Sequence, residues 1–237
     1  MRERRDMLEL STFQRDALNE LGNIASCHAV TALAEMIGVT IEIAVPKVEV
    51  VAIEELQRLI DQDKIVAGIL VELEGDLSGY LQVLFPARSA FTLVDMLMGR
   101  TNGDTKSIET DMERSALMET GNILASSFCS AIADFFHTTL MPTPPSFAFD
   151  MMGAMVENAI IAVAQMQMTD QIILFRCDFK DEKELTIHGY ILMFPSFDAV
   201  KRILSVLQGM VGDGDRDSGA ESGSGGDRGA TALDRPG

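Results

Sequence analysis

The chain has 237 residues, 47% of them hydrophobic, enough to bury one sizeable core or two fused small ones. A net charge of −17, from 36 acidic and 19 basic residues, leaves no basic stripe to neutralise phosphates and excludes a nucleic-acid role. Tryptophan is absent and there are 15 methionines, so the predicted core is aliphatic and adaptable.

Residues 1–10 read as an N-terminal arm. A long helix is predicted over Thr12–Ile37, where Ser11 and Gln14 form a capping box and Gly38 supplies the stop. At about 100° per residue, Ala17, Leu18, Leu21, Ile24, Ala25, His28, Ala32 and Met36 share one broad arc, expected to face the core. Asp16, Glu20, Asn23 and Cys27 form a narrow line on the opposite side, expected to face solvent. A β-rich stretch, Val39–Ile53, follows and is interrupted by Pro46. A short helical turn over Glu54–Ile60 leads to a hairpin, Ile65–Leu73 and Gly79–Phe85, turning at Glu74-Gly75-Asp76. Pro86 then opens an amphipathic helix, Ala87–Met98, closed by Gly99.

The second half repeats this order. Thr110 and Glu113 make another capping box ahead of a helix from Asp111 to about Phe136. Pro142, Pro144 and Pro145 mark a bend. The apolar residues of Met151–Gln167 fit both helical and strand periods, so that stretch stays open. Gln171–Phe179 and Leu185–Phe194 match the first hairpin, turning at Lys180–Glu184, and a last helix is expected over Ser196–Leu207. Gly79-Tyr80 with Phe85-Pro86 returns as Gly189-Tyr190 with Phe194-Pro195. After Met210 the composition shifts to Gly, Asp, Ser and Arg, and 211–237 reads as a disordered tail. The expected fold is an α/β (α+β) single domain over 11–210. It comprises two pseudo-twofold-related α-β-β-β-α repeats, 11–100 and 110–210, whose hairpins join into one antiparallel-rich sheet covered by helices.

Other features point to no chemistry of their own. Cys27, Cys129 and Cys177 have no paired spacing and read as reduced thiols. His28, His137 and His188 share no metal-ligand spacing, so no metal site is expected. Ser126, Ser127 and Ser130 lack a nucleophile elbow, and Met96, Met98, Met151, Met152, Met155, Met166 and Met168 read as core filler. Met1-Arg-Glu-Arg-Arg is not followed by the apolar run of a signal peptide, and no stretch approaches the ~20 apolar residues of a membrane span. The chain is expected to be soluble and cytoplasmic. An acidic surface in which Arg outnumbers Lys fits a salt-rich cytoplasm, or an acidic tail on an ordinary body.

The informative feature is a repeat. Asp16-Ala-Leu-Asn-Glu20-Leu-Gly22-Asn23 returns 99 residues later as Ser115-Ala-Leu-Met-Glu119-Thr-Gly121-Asn122. Residues three apart on a helix are neighbours, so each copy presents a carboxylate and an amide together. Glycine in a helix interior costs roughly 0.5–1 kcal/mol against alanine. Gly22 and Gly121 are useful where helices pack closely, or where a partner's backbone must approach.

Each copy also has a proline after twenty-two further residues, Pro46 and Pro145. The pattern Asp/Ser, three residues, Glu, two residues, Asn, then the distant Pro resembles the signature of the CheC family of chemotaxis phosphatases, met twice here. The resemblance covers about residues 11–208. It implies dephosphorylation of CheY-P, a response regulator carrying an aspartyl phosphate, and for many members binding to CheD. On that pattern Asn23 or Asn122 orients the attacking water, and Glu20 or Glu119 pairs with a lysine of the regulator. Asp16 and Ser115 are peripheral contacts or helix supports. The chain needs no cofactor of its own, since Mg²⁺ belongs to the regulator's site. Two sites in one chain remove the need for a homodimer. The alternative is a non-catalytic adaptor whose faces dock CheD or another signalling protein.

Overall fold

The computed structural model describes residues 11–38, 40–43, 47–52, 55–56, 58, 61–165, 171–181 and 186–217. The arm at 1–10, Pro46, Met166, Met168, the Cys177 side chain and tail residues 218–237 lie outside what it describes.

Local signals set the two long helices. In α1, Thr12–Ile37, the Ser11 hydroxyl accepts from the Gln14 N–H at 3.2 Å, while Gln14 Oε1 accepts from the Ser11 N–H at 2.9 Å. Gly38 ends the helix with φ 75°, its N–H donating to the Ala34 carbonyl. Strands β1, Ile41–Ile43, β2, Lys47–Ala52, β3, Ile65–Gly75, and β4, Gly79–Pro86, precede helix α2, Ala87–Leu97. The second half gives α3, Asp111–Phe136, β5, Leu140–Pro142, β6, Ser146–Met151, α4, Met152–Gln165, β7, Gln171–Asp181, β8, Thr186–Pro195, and α5, Phe197–Asp217.

The proline-interrupted stretch is two short strands, as its interruption implies. Two further details go beyond the sequence reading. The ambiguous stretch is a helix, because Met152, Met155, Val156 and Ala159 bury one face at helical spacing. The last helix runs to Asp217, past the expected Leu207 and into the first residues of the segment read as disordered.

The strands form one eight-stranded sheet in the order β1–β7–β8–β4–β3–β5, with β2 also on β7 and β6 also on β3. Every pairing is antiparallel. The equivalent strands β4 and β8 pair with each other from Gly79↔Pro195 to Leu84↔Tyr190. That pairing puts a pseudo-twofold axis between them. The outer strands are exchanged across the axis: β1 and β2 of the first half extend β7 of the second, while β5 and β6 extend β3. Each half therefore completes the other's sheet, and the two halves make one domain.

Alternation along the strands divides the core in two. Ala67, Ile69 and Val71 of β3, Val83 and Phe85 of β4, and Phe175 of β7 face the layer of α1, α2, α3 and α5. Val66, Leu84, Leu174 and Leu192 face the opposite way, against α4 and Leu56. Phe128 of α3 meets Phe175 edge to face, with ring centroids 4.6 Å apart.

The start of α3 is held by buried carboxylates. Asp95 accepts from the backbone N–H groups of Gly103 and Thr105 and from the Thr105 hydroxyl, which pins the loop between α2 and α3. Burial pushes its carboxyl up, but these donors outweigh burial and hold it below the usual range. Glu113 accepts from the Thr110 and Glu109 N–H groups at 3.0 Å and from Arg100 Nη1 at 2.7 Å. The Thr110 N–H, then Arg100, then the Glu109 N–H bring Glu113 down to about 2 from an ordinary 4.5.

Because the folded value is the lower one, this stabilisation is complete above about pH 4.5 and is lost as pH falls through 4.5 toward about 2. Glu113→Gln is expected to destabilise the protein by roughly 2 kcal/mol at neutral pH. It should also flatten part of the acid limb of a urea-melt series between pH 5 and 2. An unchanged acid limb would show that Glu113 is not the group responsible.

Candidate functional site

α1 and α3 lie side by side over the sheet and pack against each other. On α1 the buried residues are the capping Gln14, then Leu18, Leu21, Gly22, Ala25, Ser26, Ala29, Val30 and Leu33. That face is rotated from the expected arc: Ile24 is 36% exposed and His28 is also exposed, so neither belongs to the core. The shift arises because the helix must seat its glycine on the sheet, which apolar periodicity alone does not reveal. The motif line still points outward. Asp16, Glu20 and Cys27 are exposed and Asn23 is half-buried. On α3, Ser115 and Glu119 are exposed and Asn122 is half-buried.

The side chains of Glu20, Asn23, Glu119 and Asn122 make no hydrogen bond or ion pair among the described residues. Each pair is thus a free carboxylate beside a free amide on a rigid helical surface. That arrangement is suited to pairing with a cation and holding a polar molecule next to it.

The glycines lie on the other side of the helices from the motif. A Cβ on Gly22 would overlap Val48 Cγ2 and touch the Phe175 ring, and one on Gly121 would sit 2.6 Å from Ile69 Cγ1. They let each helix approach the sheet closely, which is the first use foreseen for them, with a sheet in place of a helix. Pro145 lies in the break between β5 and β6, at the sheet edge formed beyond β3. Cys129 is a buried core thiol, pushed up to about 12 by its burial. Met151 is 49% exposed and is not core, whereas Met152 and Met155 are buried. Among the described residues, no cluster of three or more His, Cys, Asp or Glu is arranged to hold a metal ion. No helix there is long and apolar enough to cross a membrane.

A twofold-duplicated α+β domain with two long helices side by side over one antiparallel sheet is an architecture that known proteins share. The sequence profile described as the CheC-like family matches residues 13–50 and 112–148, two segments that each begin on a motif helix. The chain is 30% identical over 196 residues to the CheY-P phosphatase CheC of Bacillus subtilis, covering 82% of this chain and 93% of that protein. It is 28% identical over 139 residues to CheC1 of Halobacterium salinarum, covering 59% and 69% respectively. In structure it resembles Thermotoga maritima FliY, with TM-score 0.67 at 19% identity, covering 85% of this chain and 99% of that one. The FliM middle domain from H. pylori shares the fold at TM-score 0.55 and 13% identity, over 84% and 99%. The chain belongs to the CheC-like family.

Proposed function

We propose that this protein is a CheY-P phosphatase with two sites, one on α1 at Glu20 and Asn23 and one on α3 at Glu119 and Asn122. The observation that carries the reading is the pair of outward Glu/Asn faces, built twice and left without side-chain partners among the described residues. The similarity to the Bacillus subtilis phosphatase over most of both chains supports it.

An acyl phosphate is already activated, so the missing component is a water held in line with phosphorus. In each site the asparagine amide holds that water by hydrogen bonding, which is catalysis by positioning. The water oxygen bonds to phosphorus as the bond from phosphorus to the aspartyl oxygen breaks. The regulator's carboxylate leaves, and the water's protons remain on the inorganic phosphate. Glu20 or Glu119 pairs with a lysine of the regulator and fixes the helix over the phosphoryl group. The Mg²⁺ belongs to the regulator and supplies charge neutralisation there. Asp16 and Ser115, one turn earlier, contact the rim. CheD is a second partner, and the protein acts in the cytoplasm, where its substrate diffuses.

The test is the decay of phosphorylated CheY at matched salt, with and without this protein and then with CheD added. Acceleration is the expected result. No acceleration under either condition would leave the faces as docking surfaces of an adaptor.

A further inference from the structure

The motif faces carry more than Glu and Asn. Phe13 is 46% exposed, Ile24 36% and Met112 67%, which makes three of the large exposed hydrophobics residents of the two motif helices. Their positions repeat: Phe13 and Met112 precede the glutamate by the same interval, and Ile24 and Ile123 each follow the asparagine directly. At helical spacing Phe13, Ala17, Glu20 and Ile24 form one stripe about 16 Å long, as do Met112, Ala116, Glu119 and Ile123. Each carboxylate therefore stands inside an apolar stripe with a large side chain at either end. Ile123 is half-buried, the one difference between the copies in this respect.

A face that served only solubility would place charged side chains here. A β-branched residue on an exposed helix face adds nothing to helix propensity, and an exposed Phe or Met adds association risk. An exposed Phe or Met at the start of both stripes, with an isoleucine directly after both asparagines, needs a use. A carboxylate flanked by apolar groups pairs most strongly with a cation once those groups are covered and bulk water is excluded. Covering them also leaves the amide holding a single trapped water instead of exchanging with solvent.

We infer that Phe13 with Ile24, and Met112 with Ile123, are docking anchors for the phosphorylated regulator at the first and second sites. The partner surface they fit is a basic group rimmed by apolar side chains, next to the phosphoryl group. This rests on the phosphatase reading and adds to it the residues that set affinity. They are positioning residues, touching the partner's surface and not the reacting atoms.

The experiment isolates one site at a time. Phe13→Ser is placed in the Asn122→Ala background, where only the first site works, and in the Asn23→Ala background, where only the second does. The expected result is about a tenfold rise in KM with unchanged kcat in the first background and no change in the second. Met112→Ser should show the reverse dependence. Unchanged KM in the first background, or an equal shift in both, overturns the inference. So does sedimentation showing that wild type is a dimer dissociated by Phe13→Ser, which assigns the stripe to a second copy of the chain. Titration with beryllofluoride-loaded CheY separates the two readings. If wild type fails to accelerate decay yet Phe13→Ser with Met112→Ser weakens this binding tenfold, the anchors stand and the phosphatase reading fails. Unchanged binding removes the anchors whatever the activity.

Discussion

Asn23→Ala combined with Asn122→Ala is expected to abolish the acceleration of CheY-P decay, lowering the maximal rate by roughly 100-fold while leaving KM nearly unchanged. Loss of a positioned polar group at a reacting centre typically costs this much, because the water is no longer held in line. Each single substitution should leave the fraction contributed by the other helix, since the two faces share no side chain. Glu20→Gln with Glu119→Gln should act differently. It removes an ionic contact and keeps the amide, so KM should rise severalfold and lose some of its salt dependence. Time courses of phosphorylated regulator at several concentrations separate the two effects. Full activity in the double asparagine variant would remove both faces from the mechanism.

The duplicated architecture was legible in the sequence because it was written twice. Both capping boxes, Ser11 with Gln14 and Thr110 with Glu113, place the helix starts without tertiary information, and both occur as read. Both hairpins follow from apolar strand-like runs, the first also from its turn at Gly75. The duplicated halves and their joined antiparallel sheet follow from the repeat. The exchange of outer strands across the axis was not legible, because β2 and β6 carry no signal naming their pairing partner. The rotation of α1 was hidden for a related reason. Apolar periodicity placed Ile24 and His28 with Leu21 and Ala25, but small residues such as Gly22, Ser26 and Ala29 define the face nearest the sheet. Hydrophobicity weighs side chains, whereas close packing selects their absence. The motif side survived this error because the rotation only adds Ile24 and His28 to the surface beside Asp16, Glu20 and Asn23, which lie outside the observed buried face.

The same glycines yield the second large expected effect, one of opposite sign to ordinary helix propensity. At an open helical position Gly→Ala stabilises by up to about 1 kcal/mol. At Gly121 the added carbon would meet Ile69 Cγ1 at 2.6 Å and its Cβ and Cγ2 at 2.7 Å. Ile69 is fully buried on β3, an interior strand held by β4 on one side and β6 on the other, and its Cβ moves only with the backbone. Gly121→Ala is therefore expected to destabilise the protein by about 2 kcal/mol, the overpacking cost exceeding the propensity gain. Gly22→Ala should cost less than half as much, because its obstacle is one methyl of the half-buried Val48 on the outer strand β2, which can rotate or shift. Urea melts of the two variants give the comparison directly. Lifting α3 off the sheet would also tilt Glu119 and Asn122, so Gly121→Ala should impair the second site more than the first when each is assayed alone. A stabilising Gly121→Ala would mean that α3 does not lie this close to β3, and the fixed direction of its Glu/Asn face would lose its physical basis.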